Sequence, residues 1–135
     1  MSRIEIVAVD ERDSSWEQHD SRFRVYIQGG SSHAGEEWTG GSTWTYDVTG
    51  ADLLQVIDWA QRRAGDASTY SIALVVDAPT EQLAPGSGRG LVWLVGVDGN
   101  DDVPGLWPLT DAQHRMLARR QHPVVLGSDD RMPSD

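Results

Sequence analysis

The chain has 135 residues, 21 acidic against 11 basic, a net charge of −10 and no cysteine. That length suits one domain of the usual ~100–200 residues, and the lack of cysteine excludes thiol catalysis, disulfides and cysteine-ligated metal centres. Every basic residue outside histidine is arginine, which excludes a Schiff-base or phosphate-loop lysine, and the acidic excess argues against direct binding to nucleic-acid phosphates or anionic lipid.

Ile4–Val9 alternates and is expected as the first strand, with Ile4, Ile6 and Ala8 on one face and Glu5, Val7 and Val9 on the other. Its apolar run is too short for a secretory signal, and no stretch reaches the length of a membrane-spanning helix. A cytoplasmic protein is therefore expected. Asp10–Asp20 is a polar, acidic loop carrying Trp16. Arg22–Gln28 alternates cleanly, with Phe23, Val25 and Ile27 opposite Arg24 and Tyr26, the pattern of a half-buried strand. Gly29–Ser42 is rich in Gly and Ser and reads as a loop. Thr43–Val48 alternates again, with Trp44, Tyr46 and Val48 expected inward.

The best-defined helix is expected from Gly50 to Ala64. Thr49 with Asp52 approximates a capping box, and Leu53, Ile57, Ala60 and Ala64 form the apolar stripe. Gly65 supplies a C-cap, Arg62 and Arg63 suit the last turn, and Asp58 is spaced to pair with Arg62. Tyr70–Val76 and Leu91–Val97 read as central strands. The breaker-rich connection at 78–90 has no helical period, so the two are expected as antiparallel neighbours. Thr110–Gln121 is a second, weaker helix.

The order β-β-β-α-β-β-α points to an α+β fold, a single mostly antiparallel sheet of about five strands packed by one main helix. Residues 1–126 are expected to form one domain and 127–135 a disordered C-terminal tail.

Three apolar stretches end on Val-Asp, at Asp10, Asp77 and Asp98. Convergent carboxylates hold divalent cations for phosphoryl or hydrolytic chemistry, so a metal-dependent hydrolase is one reading. Asp is also a common strand-terminating turn residue, and antiparallel pairing of the last two strands sends Asp77 and Asp98 to opposite edges. Asp98–Asp102 resembles half a calcium loop but has Val103 and Leu109 where that loop needs Gly and Glu. His19, His33, His114 and His122 make no ligand pattern, and no serine stands in a nucleophile frame. No cofactor or metal is expected.

Tryptophan is the unusual feature, six against a single Phe. Trp44 and Trp93 fall on inward strand positions. Trp59 lies off the apolar stripe of its helix, Trp38 follows Glu36 and Glu37, and Trp16 precedes Glu17. Exposed Trp beside charge is a hot-spot profile for protein contact, although packing under loops competes with it. Such residues serve a second copy of the chain or a foreign partner equally well, so a homo-oligomer stays open.

The segments YDVTGADLLQVIDWAQ and GLVWLVGVDGND resemble uncharacterised small acidic proteins of actinobacteria, and the overall type is similar to immunity proteins that neutralise secreted toxins. The resemblance implies a partner protein with a basic surface and assigns no residue a role. The expected function is a non-enzymatic, acidic protein-binding module, an immunity or inhibitor protein for a basic, nuclease-like toxin. Its expected contacts are Trp16, Glu17, Glu36, Glu37, Trp38 and Trp59. A small-ligand-binding domain whose pocket the Gly29–Ser42 loop covers is the remaining alternative.

Overall fold

The computed structural model describes residues 3–10, 12, 17–29, 43–77, 88–97 and 111–133. Within them the elements are β1 (Arg22–Gly29), β2 (Thr43–Thr49), α1 (Leu53–Ala64), β3 (Ser68–Asp77), β4 (Arg89–Val95) and α2 (Asp111–Ala118), followed by a 3-10 turn at Ser128–Asp130. The four strands make one antiparallel sheet in the order β2-β1-β3-β4. The α+β class and the antiparallel pairing of the last two strands are as expected.

Alternation explains the core. Phe23, Val25 and Ile27 stand on one face of β1, level with Leu74, Ile72 and Tyr70 of β3. Val56, Ile57, Ala60 and Ala64 of α1 close over them. Val25, Val56, Ala60 and Ile72 retain no exposed surface. Burying a Val or Ile side chain contributes roughly 1.5–3 kcal/mol, so this sandwich of helix on sheet is the main source of stability.

The helix starts later than its expected box. β2 runs through Thr49, and Gly50, at φ 79°, turns the chain out of the sheet. Asp52 is then the N-cap: its carboxylate accepts the Gln55 amide at 2.9 Å while Gln55 Oε1 accepts the Asp52 amide at 3.0 Å. Both partners of the box thus lie three residues beyond the Thr49–Asp52 pair. At the other end the Gly65 amide donates to the Gln61 carbonyl, as the glycine predicts.

Expectation and structure part in further places. Ile4–Val9 is not a strand; it runs exposed along its whole length. Its alternation is real, but a strand needs a neighbour to bond to, and here it has none among the described residues. The sheet therefore has four strands where about five were expected. β4 is an edge strand rather than a central one.

Trp44 is half exposed although it faces the helix side, because α1 packs mainly on β1 and β3, and of the helix-side residues of β2 only Tyr46 and Val48 pack against the core. Trp93 pairs with Ala73 on the opposite face, half-buried against Tyr26. An irregularity between Ile72 and Ala73 sets Leu94 between the paired positions Trp93 and Val95.

The segment read as a loose tail is described as far as Pro133 and lies along α1. Gln61 clamps Val124 through both its amide nitrogen and oxygen, at 3.1 and 2.6 Å. Leu126 packs against the core, and the 3-10 turn meets α1. Asp58 then accepts the Met132 amide.

Met116 of α2 approaches Ser71 and Gly96. No helix among the described residues is long and apolar enough to cross a membrane.

Candidate functional site

The three Val-Asp endings do not form a described site. Asp10 lies on the exposed N-terminal segment, where Arg12 Nε and Nη2 bond both carboxylate oxygens and hold its pKa down. Asp77, at the end of β3, accepts from Arg89 Nε at 2.8 Å, which lowers its pKa. Asp98 lies outside the described residues. A carboxylate already held by guanidinium has less charge to offer a cation, and no cluster of three potential ligands occurs among the described residues.

Of the expected contact residues, Trp16, Glu36, Glu37 and Trp38 also lie outside the described residues, as does most of the Gly29–Ser42 loop. Glu17 is exposed and stands 3.7 Å from His19 Nε2. Trp59 is half-buried rather than free. Its ring meets Tyr46 edge-on, with centroids 5.1 Å apart. The Arg63 guanidinium sits 5.6 Å from the Tyr46 centroid and 6.0 Å from that of Trp59, and Nη2 reaches the Tyr46 hydroxyl at 3.3 Å.

The elements explain this shelf. Tyr46 projects from β2 on the helix side. Trp59 and Arg63 stand one turn apart on the flank of α1 that looks towards it, so the two rings bridge helix and edge strand. Beside them opens a groove of about 410 Å³, lined by Val48, Thr49, Gly50, Ala51, Trp59, Met132 and Pro133. Its lining is mixed, with Val48, Ala51, Met132 and Pro133 beside the Trp59 ring and Thr49. A side chain from another protein could enter it, and among the described residues no histidine or carboxylate lines it.

The opposite face of the sheet carries a network that the sequence reading did not assemble. Arg22 and Arg24 both grip Asp47 of β2, with shortest contacts of 2.6 and 2.7 Å. Hydrogen bonding to Arg24, joined by Arg22 and opposed by partial burial, holds Asp47 down to about 2. The same interaction raises the Arg24 pKa. Beyond this trio, Tyr26 stacks tilted on Trp93 at 5.2 Å, and Asp77 pairs Arg89 directly across the β3–β4 ladder. The signal was present in the alternation of RFRVYIQ and TWTYDV, which puts Arg22, Arg24 and Tyr26 on one face and Asp47 on the face opposite Tyr46. What was missing was the register that makes Arg24 and Asp47 partners.

Chemically this face carries satisfied cross-strand ion pairs that join β1 to β2 and β3 to β4. Arg12, Arg22, Arg24, Arg62 and Arg89 are each bridged to an aspartate. Much of the positive charge is therefore spent internally, and the acidic excess dominates the outer field.

The fold and the shelf define a small α+β domain with one antiparallel sheet and an open aromatic groove. Set against protein-family models, curated proteins and solved structures, the chain matches none.

Proposed function

We propose that the chain is a non-enzymatic, acidic protein-binding module whose partner presents a basic surface, with neutralisation of a basic, nuclease-like toxin as the biological form. The observation that carries the proposal is the Trp59–Tyr46–Arg63 shelf beside its open groove. Trp, Tyr and Arg dominate binding hot spots because they bury large areas and keep a polar handle. The net charge of −10 supplies the second half of the argument. Exposed Glu17, Asp20, Asp52, Asp66, Asp111 and Asp129 add to a field that steers a cationic partner and repels nucleic acid.

Co-expression with a basic toxin encoded beside its gene tests the reading. Protection of the cell, with binding in vitro that weakens as salt rises from about 0.1 to about 1 M, is the expected result. Binding should fall at least about tenfold in Trp59→Ala, the loss of one hot-spot side chain. No protection, together with no binding at low salt, overturns it.

A further inference from the structure

Two features of the described structure lack a partner and match each other. One is the N-terminal segment, where Ile4, Ile6, Val7 and Val9 are 89, 94, 72 and 77% exposed. The other is β4, the edge of the described sheet, where Val92 and Leu94 are 50 and 41% exposed. From this pair we infer that Ile4–Val9 adds as a strand to β4 of a second copy of the chain, so that two copies exchange N-terminal strands.

Length, chemistry and symmetry favour this occupant. Ile4–Val9 spans six residues against seven in β4. One face is apolar, Ile4, Ile6 and Ala8, and the other carries Val7 and Val9 beside Glu5. β4 offers apolar side chains on both faces, Val92 and Val95 level with Leu74 and Ile72 on the helix side and Leu91 and Trp93 on the reverse, with Leu94 at the irregularity between them. The other edge, β2, does not fit: its reverse face carries Thr43, Thr45, Asp47 and Thr49. An exposed edge with an apolar flank templates strand addition, and the backbone bonds supply affinity while alternate side chains supply register.

Each copy owns one donor segment and one acceptor edge. Reciprocal exchange about a two-fold axis therefore leaves neither unfilled, and the assembly closes as a dimer. Docking of the segment on its own β4 would satisfy the same surfaces, but in this structure the segment is exposed and pairs with no strand among the described residues. Arg12 folds back on Asp10 through its backbone amide and guanidinium just beyond Val9, marking the natural end of the strand.

The inference is independent of the proposed function, and salt separates the two. Two copies at −10 each repel, so screening should tighten the dimer, whereas it should loosen a complex with a basic partner.

Light scattering after size exclusion, run on the full chain at about 0.1 and about 1 M salt, tests it. The expected result is a dimer that strengthens with salt. Val7→Lys and Val92→Lys should each raise its Kd at least about tenfold, and Thr45→Lys on β2 should leave it unchanged. All three positions are exposed, so the fold does not depend on them, and unchanged circular dichroism confirms that. A monomer at about 100 µM, well above the range of stable dimers, overturns the inference. So does a dimer indifferent to Val7→Lys or to Val92→Lys, and so does a monomer whose Ile4–Val9 amides are protected from exchange, which places the strand on its own sheet.

Discussion

Asp58 accepts the Met132 backbone amide at 2.9 Å, joining the middle of α1 to a residue 74 positions further along the chain. The same oxygen takes two bonds from Arg62, at 3.1 and 2.7 Å. Burial opposes ionisation of this carboxyl, yet the Arg62 guanidinium and the Met132 amide outweigh it and lower the pKa. Residues 124–132 are thus strapped along the helix by Gln61 at one end and Asp58 at the other.

Replacing Asp58 by Ala leaves the Met132 amide unpartnered and frees the strap. The expected cost is about 1–3 kcal/mol, read as a lower urea midpoint. Hydrogen exchange at Met132 should accelerate in the variant while amides in β1 and β3 keep their relative order. An unchanged Met132 exchange rate would show that the strap is held by other contacts.

The Asp47 carboxyl gives a pH prediction. Its folded pKa is about 2, against an unfolded value near 3.9 for aspartate. The stabilisation is complete above the unfolded value and is lost as pH falls towards 2, because the unfolded chain binds the proton first. Discounted for solvent screening, about 1–2 kcal/mol should disappear over that window. Urea midpoints measured from pH 5 to 2 (about where the two states differ in bound protons) should fall less in Asp47→Asn than in the parent.

Gly96 and Ser71 make a contrasting pair. Gly96 has φ 72°, and a Cβ there would meet the Ser71 Cβ at 3.0 Å and the Met116 sulfur at 3.2 Å. Gly96→Ala should therefore destabilise by about 1–3 kcal/mol, through both backbone strain and overpacking. The Ser71 hydroxyl, by contrast, is buried without a hydrogen-bond partner. Ser71→Ala removes that desolvated group and keeps the Cβ, so it should be neutral or raise stability by up to ~1 kcal/mol. Thermal melts of the two variants settle both signs.

The shelf should be visible as coupling. In a double-mutant cycle, Tyr46→Leu and Trp59→Leu should show an interaction energy of about 0.5–1.5 kcal/mol, the usual range for an edge-to-face pair. Additive losses would mean that each ring packs on the core separately and that the Trp59 edge is not positioned by Tyr46.

Much of this architecture was legible before the structure. β1 was readable because every second residue is large and apolar, and α1 because its stripe recurs at helical spacing beside a glycine stop. The antiparallel β3–β4 pairing followed from a connection too rich in breakers to hold a crossover helix. Other features depend on relations that local pattern does not encode. Ile4–Val9 has a strand's alternation but no neighbour within the described chain. Trp44 has an inward position but lies on β2, away from the strands on which α1 mainly packs. The Arg22–Asp47–Arg24 cluster joins residues 25 and 23 positions apart, and only the register reveals it. The C-terminal segment looks polar and breaker-rich, and its docking rests on two side chains of α1 that read as ordinary surface groups.

The Asp77–Arg89 bridge has one further consequence. These two residues are opposite one another in the ladder, and they stand where the chain leaves β3 and enters β4. Pairing them pins the mouth of the hairpin, so a change in the number of residues between them does not slide β4 by one position and turn Leu91 and Trp93 over to the wrong face. Lengthening such a connection costs little closure entropy, about 0.6 kcal/mol per doubling. The interval between Asp77 and Arg89 is thus the place where foreign sequence can be spliced into this domain with its sheet left in phase.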